Sequence, residues 1–302
     1  MNQQTIKSSV QLSGIGLHTG QYVNLTLKPA PTNYGYKFIR TDLHNKVVEA
    51  DVFNVVFTTR GTVIGKNEAS ISTVEHILSA LRGNGIDNVI IEIDGPEVPI
   101  FDGSALFFVD AILKAGILQQ DSKRQFIKVI KKIHYYDKKT DSELTAFPSE
   151  DFIVDVSIDF NSKTLKPQSA SLKCLEDYNK EIAGCRTFVF LHEILMLLEQ
   201  GLIKGGDLDN AIVIVDKQMT DEELDILARR LNKPKIAVKK EGILNTLDLR
   251  FDNEPARHKL LDVIGDLALA GGFIKGHIIA NKPGHSANIA FTKLIKQFGV
   301  RD

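Results

Sequence analysis

The sequence has no tryptophan and two cysteines, Cys174 and Cys185, too far apart to form a C-x-x-C metal or redox pair. A disulfide framework needs more cysteine than this, so a reducing compartment is expected. No run of about 18 apolar residues occurs, which leaves no candidate for a membrane-spanning helix. The opening residues, MNQQTIKSSVQLSG, lack the apolar centre of a secretion signal. Neither sign of charge is in excess: 37 Lys and Arg stand against 38 Asp and Glu, for a formal net charge of -1. That balance supplies no global pull towards nucleic acid or an anionic bilayer. Only residues 125–139 are locally basic, and a solvated strand face explains them. Together these absences point to a cytoplasmic protein without a nucleic-acid partner.

The chain does have enough apolar sequence for a large core. It has 302 residues, 43% apolar and 25% charged, more than one core usually covers, so two domains are the default expectation. YVNLTLKPA and YGYKFIRTDL read as strands. TTRGTVIGKNEASIS, residues 58–72, reads as a hairpin with turns at Gly61 and Gly65. STVEHILSALRGNG predicts a helix, IDNVIIEIDG a strand, and FDGSALFFVDAILKAG a second helix capped at Gly116. Residues 118–124 are polar and aperiodic, the pattern of a linker. Strands then restart with FIKVIKKIHYY and DFIVDVSIDF. FLHEILMLLEQG predicts a helix, followed by the β-segment NAIVIV. RHKLLDVIGDLALAGG predicts a helix, FIKGHIIA a strand and HSANIAFTKLIKQF a last helix. The stretch from His76 to Leu113 thus repeats, in order of elements, from His258 to about Leu294. This pattern predicts an α+β fold of two domains with similar topology, each a sheet packed with helices. The two histidine-bearing helices would face each other across a central cleft.

The helix in RHKLLDVIGDLALAGG carries the densest chemistry. His258, Asp262 and Asp266 recur at intervals of four and share one helical face. A catalytic zinc takes three protein ligands and leaves a position for water, and His258 with Asp262 supplies two. Alone, that pair fits a solvated helix face better. In STVEHILSAL, His76 is a candidate third ligand, and Glu75 beside it a candidate base for a bound water. Ser72-x-x-Glu75 also has the form of a capping box, and spacing alone slightly favours the cap. His285, after the turn in NKPGHSANIAF, lies where functional residues collect, although a lone histidine there is more often a surface residue. Asp266 either orients a histidine or is solvated. In SGIGLHTG the glycines 14, 16 and 20 allow close backbone approach to a ligand, but the phosphate-loop order is missing and turn formation is the safer reading. The apolar helix after Arg186-Thr187-Phe188 is either core or the lining of an acyl pocket.

In order along nearly the whole chain come SGIGLHTG, STVEHILSAL, EVPIFDGSA, RTFVF and RHKLLDVIGD…KPGHSAN. This series closely resembles the zinc-dependent UDP-3-O-acyl-N-acetylglucosamine deacetylases of lipid A biosynthesis. The resemblance implies an active site in the cleft between two α+β domains. The first spans 1–120 with a hairpin insert near 58–72, the second 125–302 with an apolar insert near 189–216. It implies zinc held by His76, His258 and Asp262, with Glu75 as catalytic glutamate and His285 partnered by Asp266. Thr187 would help polarise the substrate carbonyl. Phe188 and Phe160 would pack near the sugar or nucleotide, and Lys259 would contact the diphosphate. The substrate implied is an acylated UDP-N-acetylglucosamine, in the cytoplasm of a Gram-negative-type bacterium. Two rival expectations are a different zinc amidohydrolase and a non-enzymatic sugar-nucleotide-binding protein.

Overall fold

The computed structural model describes residues 1–199, 205, 210–217, 219–230, 233 and 235–301, without the side chains of 195, 197–199 and 230. Tyr22–Pro29 (β3) buries Val23, Leu25 and Leu27 and turns the residues between them outward, the period of two of a half-buried strand. It pairs antiparallel with Val10–Ile15 (β2) on one side and Val89–Ile93 (β9) on the other. β9 continues in parallel to Tyr36–Arg40 (β4), which pairs antiparallel with Lys46–Glu49 (β5). Glu75–Gly83 (α1) leads into β9, and Leu106–Ala115 (α2) follows it, ending at Gly116 with φ 73°.

The second half repeats this scheme. Ile133–Asp137 (β12) pairs antiparallel with Ser142–Phe147 (β13), and β13 antiparallel with Phe273–Asn281 (β18). β18 pairs in parallel with Phe152–Ile158 (β14), which pairs antiparallel with Gln168–Leu172 (β15). The order and the directions of pairing match the first sheet strand for strand. Glu254–Ala268 (α6) leads into β18, and His285–Phe298 (α7) follows it. Phe126–Lys128 (β11) and Val300–Arg301 (β19) extend this sheet. One apolar core runs through both halves.

The two histidine-bearing helices, α1 and α6, do more than face each other. A β-carbon on Gly265 of α6 would stand 2.1 Å from the Glu75 carbonyl oxygen of α1. Only glycine permits that approach, so the helices touch backbone to backbone where the halves join.

Several expectations about single elements are corrected. Residues 118–124 are no linker: Ile117–Lys123 (β10) pairs antiparallel with Asn2–Ile6 (β1). Its residues are exposed or half-buried, so it leaves no apolar period, and backbone pairing holds it. FIKVIKKIHYY is two strands, β11 and β12. The hairpin of 58–72 is present as Val63–Lys66 (β7) and Ala69–Ile71 (β8), joined by Val55–Phe57 (β6) into a three-stranded sheet. Its turn lies beyond Gly65, which pairs with Ser70 inside β7, and is made by Asn67 at φ 56°. Asparagine visits that left-handed region more readily than most non-glycine residues.

The apolar insert near 189–216 contains Phe188–Phe190 (β16), Leu191–Glu199 (α4) and Ile212–Ile214 (β17), with β16 and β17 parallel. It follows the short helix Tyr178–Glu181 (α3). Its core does not stop at 216. Leu191, Ile194 and Val213 pack with Leu224 and Leu227 of Asp221–Arg230 (α5) and with Ile236 and Leu244 in a cluster separate from the main core. No helix among the described residues is long and apolar enough to cross a membrane.

Candidate active site

Pro255 sits in the first turn of α6, where its missing N–H costs no hydrogen bond. His258, Asp262 and Asp266 follow at helical spacing, and the face they share is buried, at 2%, 2% and 0% exposure. This excludes a solvated stripe. The first turn of α1 meets that face with Glu75 and His76, both buried.

The candidate ligand atoms of His76, His258 and Asp262 all lie within 4.8 Å of one another. The two imidazoles stand edge to face with centroids 5.2 Å apart. His258 Nδ1 is 3.1 Å from the Cys185 carbonyl oxygen. A carbonyl only accepts, so Nδ1 carries the proton and Nε2 keeps its lone pair, 3.4 Å from Asp262 Oδ1. His76 Nδ1 and Asp262 Oδ1 are buried with no hydrogen-bond partner. Buried polar atoms without a partner are costly in a protein interior unless something takes them. Two imidazoles and a carboxylate suit a divalent transition metal, so the residues present fit one.

Glu75 is the first residue of α1, not its third, so the capping box does not form. Ser72 Oγ donates instead to the Pro96 carbonyl at 3.2 Å. Glu75 Oε2 accepts the Thr62 backbone N–H at 3.0 Å. His285 opens α7, and its Nδ1 lies 3.0 Å from Asp266 Oδ2. Its Nε2 points the other way, 3.8 Å from Glu75 Oε1 and 3.9 Å from Asp262 Oδ2. Asp266 therefore stands behind His285 and takes further hydrogen bonds from Thr62 Oγ1 and Asn288 Nδ2, at 2.5 and 2.9 Å.

The other residues singled out in the sequence flank this cluster. Lys259 Nζ donates to Asp262 Oδ2 at 2.8 Å and lies 5.6 Å from the centre of the Phe188 ring. Phe188 stands between His258, at 6.4 Å, and Phe160, at 5.5 Å, so an aromatic row leads from the ligand cluster to the exposed Phe160. Thr187 is half-buried two residues after Cys185, its N–H donating to the Gly103 carbonyl.

Burial sets most of the protonation states. It pushes the Glu75 carboxyl up to about 7, helped by Asp266 and Asp262 and opposed by His285. It holds His76 down to about 3 and keeps His258 below its usual value. For His285 burial also disfavours the charge, but Asp266, Glu75 and Asp262 outweigh it and lift the imidazole to about 9. Burial opposes the charge of Asp262, yet Lys259, His258 and His285 hold it well below the carboxylate range. Asp262 in turn keeps Lys259 above its usual value, against the effect of burial. The cluster thus offers two neutral imidazoles, one firm carboxylate, a carboxyl poised near neutrality and a protonated histidine.

Four features escaped the sequence reading. Thr62 and Asn288 touch the acid-base residues, and only Asn288, at helical spacing from His285, left a local signal. Arg186 and Glu254, both buried, pair at 2.8 Å and tie the segment before Thr187 to the start of α6. Glu97 accepts from the His18 and Thr19 N–H groups and from the Thr19 and Thr73 hydroxyls. A β-carbon on Gly16 would come within 2.5 Å of that carboxylate. The glycine there makes room for a side chain of the protein itself.

A sequence model for the family described as UDP-3-O-acyl N-acetylglycosamine deacetylase matches residues 3–229 and 227–297. A protein of Porphyromonas gingivalis named bifunctional enzyme LpxC/FabZ is 48% identical over 296 residues, which is 98% of this chain and 64% of that protein. A UDP-3-O-acyl-N-acetylglucosamine deacetylase of Geobacter sp. is 41% identical over 98% of this chain and 89% of its own length. One of Chlamydia pneumoniae is 39% identical over 97% of this chain and 96% of its own. The chain spans just under two-thirds of the length of its bifunctional relatives, 64% to 66% of each.

Proposed function

Because the chain belongs to the UDP-3-O-acyl N-acetylglycosamine deacetylase family, we propose that it hydrolyses the acetamide of a UDP-3-O-acyl-N-acetylglucosamine. The products are acetate and the free-amine UDP-3-O-acylglucosamine, and the step is the committed one of lipid A synthesis. The observation that carries this reading is the buried convergence of His76, His258 and Asp262 beside Glu75, with His76 Nδ1 and Asp262 Oδ1 left without hydrogen-bond partners. The metal is zinc, for which two imidazoles and one carboxylate, with an open fourth position, make a catalytic donor set. Bound there, zinc supplies positive charge that acidifies a water and polarises a carbonyl.

Glu75, on the same helical turn as His76, accepts the proton of the attacking water, and a pKa near 7 suits that task. The Thr187 hydroxyl donates to the acetamide oxygen as it gains charge. His285, kept protonated by Asp266, stabilises that charge and gives its proton to the leaving nitrogen. Lys259 meets the diphosphate, and Phe188 and Phe160 line the path of the sugar and nucleotide. The setting is the cytoplasm of a Gram-negative-type bacterium, in keeping with the free Cys174 and Cys185. The test is acetate release from the acylated UDP sugar by purified protein of measured metal content. Metal-dependent release supports the reading. Turnover of simple acetamides but not of the UDP sugar would replace it with another amidohydrolase.

A further inference from the structure

Thr62, just before β7, is fully buried although it only leads into a small three-stranded sheet. Its N–H donates to Glu75 Oε2 at 3.0 Å, and its carbonyl accepts the Val74 N–H at 3.3 Å. Its hydroxyl donates to Asp266 Oδ1 at 2.5 Å and lies 3.3 Å from His285 Nδ1. A β-carbon on Gly61 would stand 3.1 Å from Glu75 Oε1, so the preceding residue lies against the same carboxylate. Arg60, at φ 63°, makes the left-handed bend before this stretch.

We infer that Thr62 is a positioning residue for the proposed deacetylation. It fixes the Glu75 carboxylate with its backbone and the Asp266–His285 pair with its side chain, and the sheet of β6, β7 and β8 serves to deliver it. The inference rests on the roles proposed above for Glu75 and His285. A carboxylate turns freely about its last bond unless its oxygens are engaged, and Thr62 engages one oxygen of each carboxylate. Asp266 receives Thr62 on Oδ1, and Asn288 and His285 on Oδ2, so the hydroxyl holds the oxygen that the other two leave. Without it a fully buried carboxylate oxygen loses that donor. The carboxylate then turns to recover a partner and takes the His285 ring with it.

The experiment compares Thr62→Val, which keeps the shape and the backbone N–H, with Thr62→Ser, which restores the hydroxyl. Glu75→Gln runs beside them. For each protein kcat, KM, bound metal and melting temperature are measured. The expected result is a folded, metal-loaded Thr62→Val whose kcat falls on the order of 10-fold to 100-fold, the usual cost of removing a supporting hydrogen bond. Its KM should stay near the parent's, and Thr62→Ser should recover most of the lost kcat. A purely structural threonine would change melting temperature without changing turnover per metal-loaded molecule. If Thr62→Val does not fold, Thr62→Cys, with a weaker donor, must show a smaller loss of kcat in the same direction. Parental kcat in a folded, loaded Val or Cys variant overturns the inference while leaving the proposed function standing, provided Glu75→Gln is inactive. Parental turnover in Glu75→Gln overturns both.

Discussion

Glu75 and His285 lie 3.8 Å apart, and the proposed reaction needs them in opposite charge states. With Glu75 as the proposed base, kcat/KM should rise as pH climbs through its value of about 7. With protonated His285 as the proposed acid, the rate should fall as pH climbs through about 9. A bound cation stabilises the basic forms and moves both limbs downward. A bell-shaped profile is expected. His285→Gln should erase its alkaline limb and, with the cation that lowers Glu75 gone, move the acid limb upward. An unchanged alkaline limb in that variant removes His285 from the proton transfer. Glu75→Gln tests the other side. The amide oxygen can still accept the Thr62 N–H, so fold and metal content should hold while the rate drops about 10²-fold to 10⁴-fold. His258→Ala should lose metal and activity together by metal analysis and acetate assay, and full occupancy would reject the ligand assignment.

At the scale of the element, the contact between α1 and α6 depends on Gly265. Gly265→Ala places a carbon where the Glu75 carbonyl oxygen lies and must push the helices apart. Overpacking of this kind costs about 1–3 kcal/mol. The variant should therefore melt lower and bind metal more weakly, because His76 moves with α1. Melting and metal affinity equal to the parent's would show that the contact is dispensable. The same elements explain what the sequence made legible. α1, α6 and α7 carry an apolar stripe at helical spacing and were visible. β13 and β15, SELTAF and QSASL, have few of the branched and aromatic residues that mark strands, and their neighbours hold them in the sheet. For the site, residue type and spacing raised His258, Asp262 and His285 only as candidates, with a solvated face and a surface histidine favoured, and the ordered run of motifs decided between the readings. Spacing alone left Glu75 between cap and base, because the choice turns on where α1 begins, which local sequence did not fix. Thr62 was invisible, since its meaning comes from Asp266, 204 residues away.

For the whole molecule, the satellite core would bear on substrate choice if it lined an acyl passage. Leu191 and Ile194 of α4 are buried in it, while the side chains of Leu195 and Leu198 and residues 200–204 lie outside the described residues. An acyl passage along this region makes kcat/KM depend on chain length. Each buried methylene is worth about 0.8 kcal/mol, or about fourfold, until the passage is filled. A series of substrates with shortened acyl chains reads this directly, and a flat series would leave the insert without that role.

His76 comes from the first half of the chain, His258 and Asp262 from the second, and neither half holds the three donors by itself. An ion shared this way acts as a clasp. Unfolding of either half releases it, so its binding free energy adds to the resistance of both. At a free concentration a thousand times the dissociation constant, that linkage amounts to about 4 kcal/mol. Stripping the ion with a chelator should lower the calorimetric transition, and His76→Ala should abolish that sensitivity although His258 and Asp262 remain. Two halves of matching topology would then owe part of their cooperative melting to a single atom between them.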